Sequence, residues 1–291
     1  MDTHLATMTA DKFITIDGLK IRYLEEGAGI PVFLLHGASL GSSADVFRRN
    51  LGPLAAAGLR AIAFDFPGYG LSEVGSDLSL AYQTNTVPKL MDALGLKKVA
   101  LIAHSRSGGQ AVQLAGKEPQ RYSSITVLGT GGLLPPLPAD VEGRYNQVAA
   151  RVDREMAKTE PTPEDTKKLM SADLFHTELV TPQELALRHS RSIGKAFETF
   201  TKRAQSEEGA GGSGAQPAVP QWQRMLELKV PLLLIYGRED RAHAGERAEL
   251  FKKMHPDLNL HIVNGCKHMV PWDAEQEVYR LAIPFIKKNA G

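Results

Sequence analysis

This chain carries one cysteine, Cys266, in 291 residues. A single thiol excludes an internal disulfide and every metal motif built from several cysteines, and it fits a reducing compartment, so a cytoplasmic location is expected. Excess charge of one sign is also lacking. The 34 basic and 33 acidic side chains leave a formal +1, which gives no electrostatic argument for nucleic acid or an anionic membrane as partner. No apolar run reaches the roughly 20 residues of a membrane-spanning helix. The stretch from Met1 to Lys12 lacks a basic start followed by an apolar run, so no signal peptide is expected. What remains is ordinary for a globular protein, 43 % hydrophobic and 23 % charged. The length suits one large α/β domain or a core with an inserted subdomain.

The chemistry centres on Val99 to Ala103, an unbroken apolar run of the kind expected for a strand buried on both faces of a parallel sheet. A polar cluster follows, and helical periodicity runs from Gln110 to Ala115. A strand, a sharp turn bearing Ser and a helix make a nucleophile elbow, in which a strained backbone lifts a hydroxyl clear of the sheet and aims a helix N-terminus at it. Strand and helix nearly touch there, so the positions two before and two after the nucleophile must be small. Around Ser105 they are Ala103 and Ser107. Ser107, flanked by Ser105 and Gly109, offers a second register. Ser105 is favoured because the apolar strand ends one residue before His104, which leaves no residue to spare for the later register. A plain Gly/Ser turn stays open until partners are found.

Along the chain, Phe13–Ile16 and Leu19–Glu25 alternate apolar with polar about Asp17-Gly18, predicting an antiparallel hairpin at a sheet edge. Strands are expected at Pro31–Leu35, Arg60–Asp65, Ser124–Leu128, Val230–Tyr236 and Asn259–Val263. Helices are expected at Asp45–Ala57, Ser79–Leu94, His243–Met254 and Asp273–Lys288. From Leu133 the texture changes: Pro135, Pro136 and Pro138 break the rhythm, and amphipathic helical material without a convincing strand follows. Its expected helices are Asp140–Lys158, Pro163–Asp173, Thr181–Ser192 and Lys195–Gln205. The run Glu208–Gly214 reads as a hinge or a disordered loop. The core is therefore residues 1–132 and 229–291, with residues 133–228 inserted as a helical cap.

A Ser hydroxyl needs a base to take its proton, and the base needs an anion to fix its tautomer. In this topology both follow the nucleophile, on loops after later strands. The strand before Gly237 leads into Glu239 and Asp240, of which Asp240 is favoured because its shorter side chain reaches inward. Among nine His, His268 sits just past the last strand, in Gly265-Cys-Lys-His. His36 is expected to bond loop backbone, and His104 to point away from the site. The oxyanion requires two backbone donors. Arg106 N–H, next to the nucleophile, supplies one, and Ala38 N–H, in the Gly-rich loop after the early strand, the other.

Leu34-Leu-His-Gly37, Asp65-Phe-Pro-Gly-Tyr-Gly-Leu-Ser72, Ala103-His-Ser-Arg-Ser107, Gly237-Arg-Glu-Asp240 and Gly265-Cys-Lys-His268, occurring in this order, resemble the α/β-hydrolase superfamily over the whole core. The resemblance implies an α/β-hydrolase fold, with a mostly parallel central sheet, helices on both faces and a helical cap, and no cofactor. Within the superfamily, Leu128-Gly-Thr-Gly-Gly-Leu133, Leu179–Arg188, Cys266-Lys-His268 and Trp272 are similar to meta-cleavage product hydrolases, which cut C–C bonds in vinylogous 1,5-diketones from aromatic ring fission. That likeness makes Arg188 a cap residue for a substrate carboxylate, with Arg106 as a second arm of the clamp or as a salt-bridge partner of the cap. Ser39, Ser107, Met269 and Trp272 are expected around a small-molecule carbonyl substrate, and a homodimer is open. A carboxylic ester hydrolase, a cofactor-free oxygenase or perhydrolase, and a ligand-sensing receptor related to the karrikin and strigolactone receptors remain as alternatives.

Overall fold

Eight strands form one sheet in the order β1-β2-β4-β3-β5-β6-β7-β8 in the computed structural model, which describes residues 9–137, 156, 158–211 and 219–291. The hairpin falls where Asp17-Gly18 places it. β1 (Lys12–Ile16) and β2 (Leu19–Glu26) pair with Ile16 opposite Leu19, and both turn residues take positive φ, 51° and 80°. Two positive φ values in a two-residue loop match the twist of the flanking strands, which is why a short polar residue followed by Gly occupies it.

β2 runs antiparallel to β4 (Leu59–Phe64). All later pairings, through β3 (Ile30–Leu35), β5 (Val99–His104), β6 (Tyr122–Leu128), β7 (Leu232–Gly237) and β8 (Leu260–Val263), are parallel. Alternate residues of the central strands face opposite sides. Phe33, Leu35, Leu101, Ala103, Leu234 and Tyr236 join one core cluster, while Val32, Leu34, Ala100, Ile102, Leu233 and Ile235 join the other. The first is covered by α2 (Leu80–Ala93) and α3 (Arg106–Lys117), the second by α1 (Arg48–Ala56) and the C-terminal helix Glu275–Asn289. Each fully buried Leu, Ile or Phe here stabilises the fold by about 1.5–3 kcal/mol.

β3 lies between β4 and β5, so the chain leaves it to one side and returns on the other. Such a reversal opens a crevice beyond the carboxyl ends of the strands, where open α/β sheets bind ligands. The loops after β3 and β4 are locked there by buried charge. Arg22 of β2, fully buried, donates to both oxygens of Asp65 at 3.2 and 3.1 Å and also to Asp45. Asp65 accepts the backbone N–H of Ala44 at 2.6 Å and of Leu71 at 2.7 Å. Burial alone would raise the Asp45 carboxyl, but the hydrogen bond and charge of Arg22 outweigh it and hold the group well below the usual carboxylate range.

Between β6 and β7 the described residues form helices and no strand. α4 (Pro163–Ala172) and α5 (Pro182–Ser190) are capped by Thr162 and Thr181, each accepting an N–H three residues on. α6 (Lys195–Gly211) runs further than expected, since residues 208–211 continue the helix rather than open a loop. The helix expected over 140–158 and the rest of the Gly-rich run fall largely outside the described residues. A short helix, Gln221–Leu226, absent from the sequence reading, precedes β7. The last expected helix runs Glu275–Asn289, and a separate short helix, Val270–Asp273, precedes it.

Candidate active site

Ser105 stands between β5 and α3 with φ 58° and ψ −128°. A non-glycine residue with positive φ costs about 1–3 kcal/mol and persists only where its surroundings impose it. Here they do: Ser105 N–H donates to Leu128 O at 2.9 Å, and Ser105 O accepts from Gly108 N–H at 3.1 Å and from Thr130 Oγ1 at 2.6 Å. α3 begins at Arg106, not at Gln110, so the polar cluster that hid its start is its first turn. The tightest approach lies at Gly108 and Gly109. A Cβ on Gly108 would overlap Thr130 Oγ1, and one on Gly109 would lie 2.9 Å from the Gln221 carboxamide.

Ser107 is different. Expected to line the substrate pocket, and held open as a second nucleophile, it is fully buried, and its hydroxyl lies 2.7 Å from Leu35 O and 2.8 Å from His104 O. Both expectations are corrected: its hydroxyl is used up tying the first turn of α3 to β3.

His268 Nε2 lies 2.9 Å from Ser105 Oγ, and His268 Nδ1 lies 3.1 Å from each oxygen of Asp240. The carboxylate can only accept, so Nδ1 carries the proton and Nε2 presents its lone pair to the Ser hydroxyl. Asp240 and His268 are both buried, each 7 % exposed. The two loops meet because Gly237 has no side chain; a Cβ there would overlap Cys266 O. Glu239 N–H donates to Cys266 O at 3.1 Å and Glu239 Oε2 accepts Cys266 N–H at 3.0 Å, so the longer acid braces the loop and the shorter one faces the imidazole.

His104 does not point away from the site. Its Nε2 donates to His268 O at 2.9 Å, behind the imidazole, and burial pushes it down to about 3, so the ring is neutral. His36 behaves as expected of a loop brace. Its Nδ1–H donates to Gly37 O at 2.7 Å, its Nε2 accepts Phe66 N–H at 3.1 Å, and burial pushes it down to about 3 as well. A Cβ on Gly37 would come within 3.0 Å of Ser105 Cβ and 3.4 Å of Oγ, so the loop carrying Ala38 passes directly beside the hydroxyl.

Arg188 of α5 donates to Ser39 Oγ at 2.8 Å, and its buried Nε has no partner among the described residues. Burial lowers it to about 10, so it remains a cation. Gly41, with φ 75°, lets it approach; a Cβ there would lie 2.9 Å from Nε. Arg188, Met269 and Trp272 line a cavity of about 30 Å³, and Trp272 Nε1–H donates to Val46 O at 2.7 Å. Arg106 lines another cavity, of about 410 Å³, together with Ser105, His268 and Asp240. Arg106, expected either to share a carboxylate with Arg188 or to pair with the cap, lines a different cavity from Arg188.

Sequence reasoning missed Asp273, which fastens the His268 loop to the inserted helices by accepting Lys267, Phe175 and His176 N–H at 2.9, 2.8 and 3.0 Å. It also missed Arg191 of the insert, which donates to Asp45 at 3.1 Å. Both are contacts across long sequence separations. The described residues contain no cluster of three or more His, Cys, Asp or Glu able to hold a metal ion, and no helix among them is long and apolar enough to cross a membrane.

A mostly parallel sheet with a Ser at the strand-to-helix turn after its central strand, and a carboxylate and an imidazole on the loops after β7 and β8, is the plan of the α/β-hydrolases. The chain belongs to that family: the family described as alpha/beta hydrolase fold matches residues 30–275. Its relatives include meta-cleavage product hydrolases. It is 30 % identical to the 2-hydroxy-6-oxononadienedioate/2-hydroxy-6-oxononatrienedioate hydrolase 1 of Dechloromonas aromatica (strain RCB), over 98 % of this chain and 99 % of the relative. It is 28 % identical to a 2-hydroxy-6-oxo-6-phenylhexa-2,4-dienoate hydrolase of Burkholderia cepacia, with the same coverage. Among solved structures, the meta-cleavage product hydrolase CumD of Pseudomonas fluorescens IP01 shares the fold at TM-score 0.74 and 21 % identity, over 97 % of this chain and 98 % of that one.

Proposed function

We propose that this chain is a serine hydrolase that cleaves the C–C bond of a carboxylate-bearing vinylogous 1,5-diketone. The observation that carries the reading is the continuous line from Ser105 Oγ through the His268 imidazole to Asp240. The names of its relatives supply the bond class. Ser105 Oγ attacks the ketone carbon while His268 Nε2 takes its proton, and Asp240 stabilises the imidazolium. Ala38 and Arg106 N–H hold the oxyanion, the latter at the first position of α3, where backbone donors have no partner within the helix. Collapse breaks the C–C bond and releases the dienolate half, which takes the proton from the His268 imidazolium and leaves as the dienol. Water, deprotonated by His268, then frees the acyl group as an acid.

Arg188 reads the substrate carboxylate. A guanidinium that donates to a neutral hydroxyl, Ser39 Oγ, and whose buried Nε has no partner among the described residues is suited to an incoming anion. Residues 133–228 act as the cap that carries it over the core. A carboxylic ester hydrolase is the second reading, favoured by the same line of three side chains, which asks nothing of a dienol.

The experiment compares turnover of a ring-fission dienoate with that of short p-nitrophenyl esters, in the wild type, Ser105→Ala and Arg188→Met. Ser105→Ala should lower kcat/KM on both by at least about 1000-fold. Arg188→Met should raise KM for the dienoate and leave the neutral esters nearly unchanged. Turnover of esters alone would establish the second reading.

A further inference from the structure

Ala38 N–H, given above to the oxyanion hole, has to be aimed at it. Gly37 O and Ala38 N–H belong to one planar trans peptide and point opposite ways, so whatever holds the carbonyl sets the direction of the donor. His36 Nδ1–H holds that carbonyl at 2.7 Å. His36 is itself wedged: its ring meets those of Phe66 and Tyr69 edge to face, each centroid 5.0 Å away, and its Nε2 accepts Phe66 N–H. Tyr69 reaches the next peptide as well, with its hydroxyl 3.5 Å from Ala38 O.

The Tyr69 ring is covered in turn from the inserted helices. Arg203 of α6, 3 % exposed, places its guanidinium carbon 4.0 Å from the ring centre. Its Nη2 donates to Gly68 O, the carbonyl just before Tyr69, at 3.4 Å. Helix and turn are in close contact there: Gly68 has φ 76°, and a Cβ on it would lie 3.0 Å from Thr199 Cγ2 and 3.2 Å from Arg203 Nη2. A planar guanidinium is drawn to the negative face of a ring, most strongly where water is excluded, so one side chain fixes both the ring and the backbone of this turn. Neither Arg203 nor Tyr69 lines the cavity that opens on Ser105 or the one that holds Arg188. We propose that Arg203 is a positioning residue for the oxyanion hole. By seating Tyr69 against His36 and Ala38 it aims Ala38 N–H, so the inserted helices complete a donor that lies on the core. The inference rests on the roles given above to Ser105 and Ala38.

Turnover of p-nitrophenyl butyrate and inhibition by 1,1,1-trifluorohexan-2-one test it. Ser105 Oγ adds to the ketone carbon, its proton passes to His268 Nε2 and the ketone oxygen becomes the anion, so the inhibitor reads the oxyanion hole with no leaving group involved. Arg203→Met should lower kcat by about tenfold, less than outright loss of an oxyanion donor, and weaken the ketone by a similar factor. KM should stay within about twofold. Arg203→Lys, which restores a cation over the ring, should recover part of both losses. Tyr69→Leu should lose as much as Arg203→Met, and the double variant little more than either alone, because the two act in series. Tyr69→Phe removes only the hydroxyl at Ala38 O and should lower both readouts severalfold at an unchanged melting temperature, which keeps the proposal refutable if Arg203→Met does not fold. Unchanged kcat and ketone affinity in Arg203→Met or Tyr69→Phe, a rise in KM alone, or additive losses in the double variant overturn it. A ketone that binds the wild type no better than Ser105→Ala overturns instead the acyl-enzyme reading, and the aiming role with it.

Discussion

Thr130 Oγ1 donates to the carbonyl oxygen of Ser105 at 2.6 Å, so the residue at the exit of β6 holds the strained residue at the exit of β5. Thr130→Val keeps the shape and deletes the donor. Ser105 O keeps the Gly108 N–H, so the loss is that of one hydrogen bond, about 0.5–1.5 kcal/mol. Thr130→Val should therefore lower stability in urea by that amount and depress kcat, while Thr130→Ser keeps most of both.

Gly37→Ala separates crowding from folding. Gly37 does not have positive φ, so Ala meets no backbone strain, but its Cβ would lie 3.0 Å from Ser105 Cβ and 3.4 Å from Oγ. Displacing a nucleophile by a fraction of an ångström is enough to cost about tenfold or more in rate. The expected result is a fall in kcat with a melting temperature close to that of the wild type.

The buried charge network beneath the crevice should be among the most sensitive places in the fold. Arg22→Met would leave Asp65, fully buried, without its cation, and removing one partner of a buried pair costs about 3–5 kcal/mol. Denaturant unfolding of the variant at neutral pH measures this loss. The penalty should ease as pH falls and the stranded carboxyls protonate.

Acid should also act through His36 and His104. Both are pushed down to about 3 by burial, from an ordinary value near 6.5. Between those limits the unfolded chain binds protons that the folded chain refuses, so their contribution is complete above about pH 6.5 and is lost as pH falls toward 3. The slope reaches about 1.4 kcal/mol per pH unit for each imidazole. Stability measured from pH 7 to 4 in the wild type and in His104→Gln should show the shallower slope in the variant.

Much of this site could be read from the chain because it is written in local signals. Asp17-Gly18 demands a two-residue turn, Val99–Ala103 demands a buried strand, and small residues around Ser105 allow the elbow. Chain order pointed to Asp240 and His268, on the loops after β7 and β8, and the structure brings both to Ser105. What escaped depends on distant partners. Nothing near Ser107 shows that Leu35 O will take its hydroxyl. Nothing near His104 shows that it will hold the carbonyl of His268, 164 residues away. The start of α3 was hidden because its first turn, Arg106–Gly109, looks like loop composition. Asp273 could have been suspected only from knowing that the chain near Phe175 returns to the His268 loop.

The central claim is that Ser105 is the nucleophile. Its most direct test is intact-mass spectrometry after treatment with a fluorophosphonate, on the wild type, Ser105→Ala and Ser107→Ala. The account predicts one phosphonyl group on the wild type and on Ser107→Ala, mapped to Ser105, and none on Ser105→Ala. Stoichiometric labelling of Ser105→Ala, or an adduct mapped to Ser107, would contradict it.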